Sequence, residues 1–172
     1  MKKTIKLSYI IRCAVILFAT SFLSCDATND LDPGGTAVQE MAGDWFVELL
    51  ADDGTGSLID IYGIGYFRIS TYNTSANTSS ELYLDDHGLW PMKSIVNVDL
   101  SSKTFSGSGL SNDYDETITS DIMNGFILSN AATTTGGNVS DSIYFKVEYS
   151  DDPGTEYFIT GYKRTGFLED EH

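Results

Sequence analysis

The clearest pattern in the chain is an alternation of apolar and polar side chains over residues 141–149. A period of two is typical of a β-strand that buries one face. A second segment of similar character, residues 156–166, follows the turn sequence Asp152-Pro153-Gly154. Proline fixes one φ angle of such a turn and glycine accepts a positive one, so the two segments predict a β-hairpin. Its buried face would carry Ile143, Phe145, Val147 and Tyr149.

Weaker patterns of the same kind fill the rest of the chain beyond residue 40, where no stretch has convincing helical periodicity. Residues 43–50 form a predicted first strand in which Trp45, Val47 and Leu49 share a face. Eight or nine short sequential strands favour an antiparallel sheet that closes on itself and so removes its edges. We therefore predict an all-β fold, an antiparallel up-and-down β-barrel, with a β-sandwich as the alternative. The other predicted strands are residues 57–71 (one long strand or two short ones), 81–85, 93–100, 103–106, 116–121 and 125–129.

The segment of residues 57–71 bears most directly on binding, because two glycines interrupt its predicted inward face. That face carries Ile59, Ile61, Gly63, Gly65, Phe67 and Ile69. Glycines in a strand either bend it, as at a barrel corner, or leave space beside it. An eight-stranded barrel can hold one small ligand or be filled by side chains. If the space is open, a small apolar guest such as a fatty acyl chain would contact Ile61, Gly63, Gly65 and Phe67.

The first 24 residues have the layout of a secretory signal peptide, with a basic start followed by an apolar run. The run, residues 14–19, is too short to span a bilayer, which takes about 20 residues. The sequence Ser21-Phe22-Leu23-Ser24-Cys25 resembles a bacterial lipobox, so we predict cleavage before Cys25 and lipidation of its thiol. An ordinary signal peptide cut nearby is the alternative. Residues 25–39 are polar, acidic and broken by proline and glycine, which predicts a flexible tether before a barrel domain of residues 40–172.

Charge limits the partners of the protein. The chain has 10 Lys and Arg against 25 Asp and Glu, and loss of the first 24 residues would remove four basic residues and no acidic ones, leaving a net charge of −19. Such a surface repels nucleic acid and anionic membranes. Membrane attachment would therefore come from acyl chains on Cys25. Acidic residues directly after that cysteine resemble the export signal of surface-exposed lipoproteins in some Gram-negative bacteria, so we expect an outer-membrane location in the cell envelope, with other surface lipoproteins as further partners.

Gly43-Asp44-Trp45 in the first predicted strand is similar to the Gly-x-Trp motif of lipocalins. That superfamily places a cation over the tryptophan ring at the end of the last strand, and the resemblance gives this barrel-closing role to Arg164 opposite Trp45, worth about 0.5–2 kcal/mol. Longer strings extend the likeness over nearly all of residues 40–170, and through them the chain resembles the small bacterial lipocalin-like lipoproteins described as "lipid-binding putative hydrolase". Those strings are Thr71-Tyr72-Asn73-Thr74, Lys103-Thr104-Phe105-Ser106, Asp141-Ser142-Ile143, Ser150-Asp151-Asp152 and Arg164-Thr165-Gly166-Phe167. The resemblance implies fold and location more than activity.

Candidate catalytic chemistry is sparse in this sequence. No Gly-x-Ser-x-Gly elbow is present, and His87 is the one histidine before the final residue that could act as a base. The adjacent acids Asp85-Asp86 and Asp151-Asp152 would point in opposite directions at a strand end. We therefore name no catalytic residue, metal ligand or cofactor.

Three hypotheses for function follow from the sequence. The first is a lipoprotein that binds a small apolar or lipid-like molecule without catalysis. The second is an accessory or interaction protein at the cell surface whose barrel is filled by side chains. The third is a hydrolase, which an activated nucleophile with a base and an oxyanion site would have to support.

Overall fold

The computed structural model describes residues 35–172, so the predicted signal peptide, Cys25 and most of the predicted tether lie outside the described residues. Residues 36–172 form one unit. No helix within the described range has the length and apolar character needed to cross a membrane. The range contains short 3-10 helices at Gln39–Met41 and Leu168–Asp170, and the strands β1 (Gly43–Asp52), β2 (Leu58–Ile59), β3 (Phe67–Asn73), β4 (Glu81–Asp85), β5 (Lys93–Asp99), β6 (Thr104–Ser111), β7 (Thr119–Thr133), β8 (Val139–Tyr149) and β9 (Tyr157–Lys163).

Eight of these strands form a closed antiparallel barrel, in which neighbours along the chain pair and β9 pairs back with β1. The closing contact extends from Trp45 opposite Lys163 to Ala51 opposite Tyr157. The short β2 stands outside this circuit, because it pairs only with the last two residues of β1. The predicted up-and-down barrel is therefore confirmed, and the sandwich alternative is not formed.

The predicted hairpin is also confirmed, as β8 and β9, with Ser142 to Val147 paired against Tyr162 to Tyr157. The inward side chains of β8 are buried, as the alternation predicts. Elsewhere the pattern indicated two strands where the structure has one. Residues 116–121 and 125–129 mostly belong to the single long β7, which is bulged where Asn124 has a left-handed φ of 53°. A bulge adds one residue to a strand, so it shifts the alternation and appears in the sequence as a break.

Apolar side chains fill the interior of the barrel. Twenty buried residues form one cluster, and none of them has more than 3 % of its surface exposed. A cavity that could hold an acyl chain would leave a larger exposed area on the side chains around it, so these twenty side chains surround no such cavity. The cluster contains Val38, Met41, Trp45, Val47, Leu49, Ala51, Ile69, Leu82, Leu84, Met92, Val96, Phe105, Ile122, Ile127, Ile143, Phe145, Val147, Tyr149, Tyr157 and Ile159.

Residues 36–42 close one end of the barrel, which we call the base. The amide of Ala37 donates to the Asn77 side chain in the β3–β4 turn at 2.9 Å, and Val38 and Met41 are fully buried. The buried Thr71 hydroxyl accepts a hydrogen bond from the Trp45 indole at 2.9 Å and donates to the Met41 carbonyl at 2.6 Å. The base is therefore joined to the core by a short polar chain in which each group has a partner.

The cation over the Trp45 ring is Lys163, whose Nζ lies 5.6 Å from the ring centroid and donates to the Ala42 carbonyl at 2.9 Å. A Cβ at Gly43 would lie 2.6 Å from Lys163 Cε, so this glycine makes room for the lysine. Arg164, the residue expected there, lies instead over Phe46 on the outer wall at 6.0 Å. Its backbone amide still joins the last strand to the first, donating to the Asp44 carbonyl at 2.8 Å.

The chain beyond β9 folds back as a strap over the outer wall and the β7–β8 turn. The buried Asp170 carboxylate accepts hydrogen bonds from Gly136, Asn138 and Thr165 at 2.9, 3.0 and 2.6 Å. The Arg164 guanidinium pairs with Glu171, 2.7 Å away at the closest atoms. At the end of the strap, the ring of His172 packs edge-on against that of Phe46, with the two centroids 5.1 Å apart.

We predict that Thr71→Val destabilises the fold by about 2–4 kcal/mol, because it leaves the Trp45 N–H and the Met41 carbonyl buried without a partner. Thr71→Ser, which keeps the hydroxyl, is the matched control and should lose much less. Urea unfolding followed by tryptophan fluorescence measures both. Equal stability of the valine and wild-type proteins would contradict the role given to this hydroxyl.

We also predict an acid-dependent loss of strap stability. Burial tends to raise the pKa of Asp170, but hydrogen bonds from Thr134, Thr165, Asn138 and the Gly136 amide outweigh it and lower the pKa to about 2. A folded-state pKa below the unfolded one stabilises the protein above about pH 4, and that contribution disappears as the pH falls to about 2. The stability gap between wild type and Asp170→Asn should therefore shrink over this interval, whereas Glu169→Gln, a change at the exposed neighbouring acid, should leave the pH profile as it is.

Candidate functional site

Four aromatic side chains close the end of the barrel opposite the base, which we call the mouth. Trp90 stacks on Tyr149 at 5.2 Å and contacts Tyr157 at 5.1 Å, and Tyr62 covers Trp90 at 5.8 Å. The Tyr62 and Tyr157 hydroxyls lie 2.8 Å apart, and the Tyr157 hydroxyl donates to Asp152 at 2.5 Å. We call these four residues the aromatic cap. It joins three separate loops over the end of the core.

The β4–β5 loop holds Trp90 in the cap through the buried carboxylate of Asp86. This carboxylate accepts hydrogen bonds from the backbone amides of Gly88 and Trp90 at 2.8 Å each and of Met92 at 3.0 Å. Burial raises the pKa of Asp86, although these amides favour the ionised form. The loop is therefore organised around one acid, and the three amide hydrogen bonds offset the cost of burying its carboxylate.

Exposed apolar side chains lie at the mouth, four of them beside the cap and the fifth being Tyr62 of the cap itself, and we call these five the apolar rim. They belong to β2, to the loop that follows it and to the β4–β5 loop, and each is between 42 % and 51 % exposed. Large exposed apolar residues that follow one another closely in the chain at one end of a barrel mark binding sites more often than singly scattered ones do. The rim consists of Leu58, Ile59, Ile61, Tyr62 and Leu89.

The structure separates the four predicted ligand-binding residues. Ile61, Gly63 and Gly65 lie in the loop between β2 and β3, whereas the sequence pattern placed them on a strand; Phe67 begins β3 and packs partly buried against the core. Of the four, Ile61 belongs to the apolar rim. The single inward face expected across residues 57–71 is not formed, because the chain leaves the sheet after Ile59. The role of these residues in binding remains a prediction.

The two glycines serve the backbone of this loop. Gly63 and Gly65 have left-handed φ angles of 66° and 70°, which residues with a Cβ rarely adopt. A Cβ added at either position would meet nothing within 4 Å, so the missing side chains face open space and not the core. The Asp60 carboxylate fixes the loop by accepting the Gly65 amide at 2.7 Å, the main reason that the pKa of Asp60 is lowered.

A polar network on the outer wall contains a serine, a histidine and an aspartate that the sequence interpretation did not connect. The Ser70 hydroxyl donates to Asp44 at 2.5 Å and lies 2.8 Å from Nε2 of His87. A hydroxyl has one proton, so with Asp44 accepting it, His87 must be the donor in its contact with Ser70. A histidine that acts as base for a serine nucleophile must accept the hydroxyl proton. In this arrangement His87 instead donates a hydrogen bond to the Ser70 hydroxyl.

The neighbouring Asp85 completes the outer network. Its carboxylate accepts hydrogen bonds from the Tyr72 hydroxyl at 2.8 Å, the Tyr114 hydroxyl at 2.9 Å and the His87 amide at 2.9 Å. Burial acts to raise the pKa of Asp85, but these donors outweigh it and the pKa is lowered. An acid held ionised in this way is suited to fixing the loop at His87 and is a poor general acid.

Among the described residues, neither a metal site nor the groove on the outer wall is a better candidate for the functional site than the mouth. Within the described residues, no group of three or more His, Cys, Asp or Glu side chains is placed to hold a metal ion. An open groove of about 610 Å³ lies on the outer wall across β5, β6 and β7, where short polar side chains line it together with Val98, Phe105 and Phe126. The mouth has both the exposed side chains of the apolar rim and the rings of the aromatic cap. It is therefore the better candidate for binding an apolar ligand.

The closed eight-stranded up-and-down barrel, with an N-terminal turn under Trp45, defines a lipocalin-like protein. The chain belongs to the family described as "lipid-binding putative hydrolase", whose model matches residues 30–168. A comparison with curated proteins found no match. The family expected from the sequence strings is thus confirmed, together with its barrel fold.

Proposed function

We propose that this protein is a cell-envelope lipoprotein, anchored in the outer membrane through Cys25, that binds a small apolar or lipid-like molecule at the mouth of its barrel without catalysis. The observation that carries the proposal is the apolar rim beside the aromatic cap. The description of the family as lipid-binding supports the class of ligand. The signal-like first 24 residues support the location.

The filled core supports binding at the mouth and not inside the barrel. Side chains that are at most 3 % exposed occupy the interior, so a guest inside would have to displace packed residues. At the rim, an acyl chain would instead cover side chains that already contact water. Each CH₂ removed from water contributes about 0.8 kcal/mol, so several are needed to exceed the cost of ordering the chain.

Charge at the mouth selects among lipid-like molecules. Asp52 ends β1 and Asp53 follows it, Asp60 lies in the rim loop, and Asp152 reaches the cap. An anionic head group would lie close to these carboxylates, and repulsion between like charges would weaken its binding. The proposed ligand is therefore an amphiphile with an uncharged or cationic head.

The filled interior favours a second candidate, an accessory or interaction protein of the cell surface. In this alternative the barrel is a rigid scaffold and the rim binds another surface lipoprotein. The hydrolase alternative has a specific geometry in the Ser70–His87 contact, but the hydrogen bond from Ser70 to Asp44 competes with transfer of the hydroxyl proton to His87, which counts against it.

We predict that a fluorescent medium-chain alcohol binds the mature chain, and that Ile59→Ser combined with Ile61→Ser weakens it about tenfold or more through lost apolar contact. Ile95→Ser is the matched control, since Ile95 is 40 % exposed on the outer wall away from the mouth. The same fluorophore on the corresponding fatty acid should bind less tightly. Binding that the rim variant leaves unchanged would refute the site, and no binding of either probe would leave the scaffold alternative.

We further predict that Cys25 carries the lipid. Cells grown with a fatty-acid analogue should label the wild-type protein, and Cys25→Ala should remove the label because no other cysteine follows the signal. Cys13→Ala is the control, since this cysteine lies within the predicted signal. Label retained by Cys25→Ala would disprove lipid attachment at this position.

A further inference from the structure

The base carries exposed apolar side chains of its own. Leu168 is 88 % exposed, Val139 65 % and Phe167 56 %. Phe167 and Leu168 lead into the 3-10 helix of the strap, and Val139 opens β8 after the β7–β8 turn. Exposure of large apolar residues that are adjacent in sequence is unfavourable in water and indicates an interaction site.

The strap holds these residues in place. Asp170, two residues beyond Leu168, is fully buried, and its carboxylate is bound by Gly136 and Asn138 of the β7–β8 turn and by Thr165. A Cβ at Gly136 would lie 2.5 Å from Cγ of Glu169, so the strap packs closely on the turn. Phe167 and Leu168 therefore project from a fixed support.

The chain enters the barrel at this same end. Ala37 is bonded to the β3–β4 turn, and Glu40 lies 3.8 Å from Lys103 beside the β5–β6 turn. The β3–β4, β5–β6 and β7–β8 turns of an up-and-down barrel all belong to one end. Phe167 and Leu168, whose neighbours Glu169 and Asp170 contact the β7–β8 turn, thus lie at the end where the tether joins.

Tether length determines which end of the barrel faces the membrane. Ten residues, 26–35, separate Cys25 from Thr36. They span at most about 35 Å when extended, and a chain of this length with the flexibility that their composition predicts would span about 17 Å on average. The ten residues of β1, tilted as barrel strands are, set a barrel height of about 25 Å. A lipid on Cys25 therefore keeps the base near the bilayer, and the mouth lies beyond the average reach of the tether.

We propose that the base docks on the bilayer surface, with Phe167 and Leu168 inserted among the lipid head groups and upper acyl chains. This inference rests on the proposed lipid anchor at Cys25. Glu169 is exposed beside the two apolar residues, and Glu171 is neutralised by Arg164. An uncharged or zwitterionic lipid surface therefore suits the base better than an anionic one.

The test uses the mature chain, residues 25–172, with its single thiol coupled to a maleimide lipid in phosphatidylcholine vesicles. This coupling supplies the anchor whether or not the cell acylates Cys25. In Leu168→Trp, brominated phosphatidylcholine should quench the new tryptophan by at least about twofold. Leu89→Trp at the mouth is the matched control and should be quenched far less. The native Trp45 and Trp90 lie inside the barrel and at the mouth, and the uncoupled wild type gives their background.

The outcomes separate docking from lipidation. Quenching in Leu168→Trp without quenching in Leu89→Trp supports the docked base, and Phe167→Trp should be quenched as Leu168→Trp is. Equal quenching of the base and mouth variants, or none in either base variant, would overturn the docking. Neither result depends on lipidation in the cell, which the Cys25→Ala labelling decides by itself. A circular dichroism spectrum matching that of wild type confirms that each variant is folded.

Discussion

The fold depends on the pairing of β1 with β9, because this contact turns a meander into a closed barrel. Gly161 permits it: a Cβ there would lie 2.0 Å from the Phe46 carbonyl oxygen, a backbone atom that cannot move aside alone. The closure fixes eight strands and hence a narrow interior, which large apolar side chains fill. On the edge of β1 opposite β9, β3 pairs only with Gly43 to Val47. The short β2 pairs with Ala51 and Asp52 at the far end of that edge, so the loop that follows β2 starts at the mouth.

A filled interior changes what a lipocalin-like fold can do here. In an open barrel of this size, specificity comes from the side chains around the cavity. In this protein the core serves stability, and binding chemistry is left to the ends and the outer wall. The two ends differ in construction: the base is joined to the core by Thr71 and Lys163, whereas the mouth is closed by two rings from loops and two from strand ends. Loops held by a few hydrogen bonds, as at Asp60 and Asp86, can rearrange at lower cost than the sheet.

The sequence predicted the hairpin and the closed barrel because alternation reports directly on which face of a strand is buried. It did not predict pairing between distant strands. Ser70 and His87 are 17 residues apart with no motif between them, and they meet only through the β3–β4 pairing. The cation over Trp45 was assigned one residue too late for the same reason, since the register that sets Trp45 opposite Lys163 is a tertiary property. Gly63 and Gly65 fitted the alternation by chance, because a loop with left-handed residues also favours glycine.

Docking through the base would also decide where the ligand comes from. With Phe167 and Leu168 at the bilayer surface, the mouth would stand about one barrel height, about 25 Å, away from the membrane. A lipid of the host bilayer would have to leave the membrane completely to reach the apolar rim. An amphiphile already dispersed in water meets the rim directly and loses only its own hydration there. The arrangement therefore favours capture from the aqueous side over extraction from the membrane, and it agrees with the acidic mouth, which disfavours anionic lipid head groups more than neutral solutes.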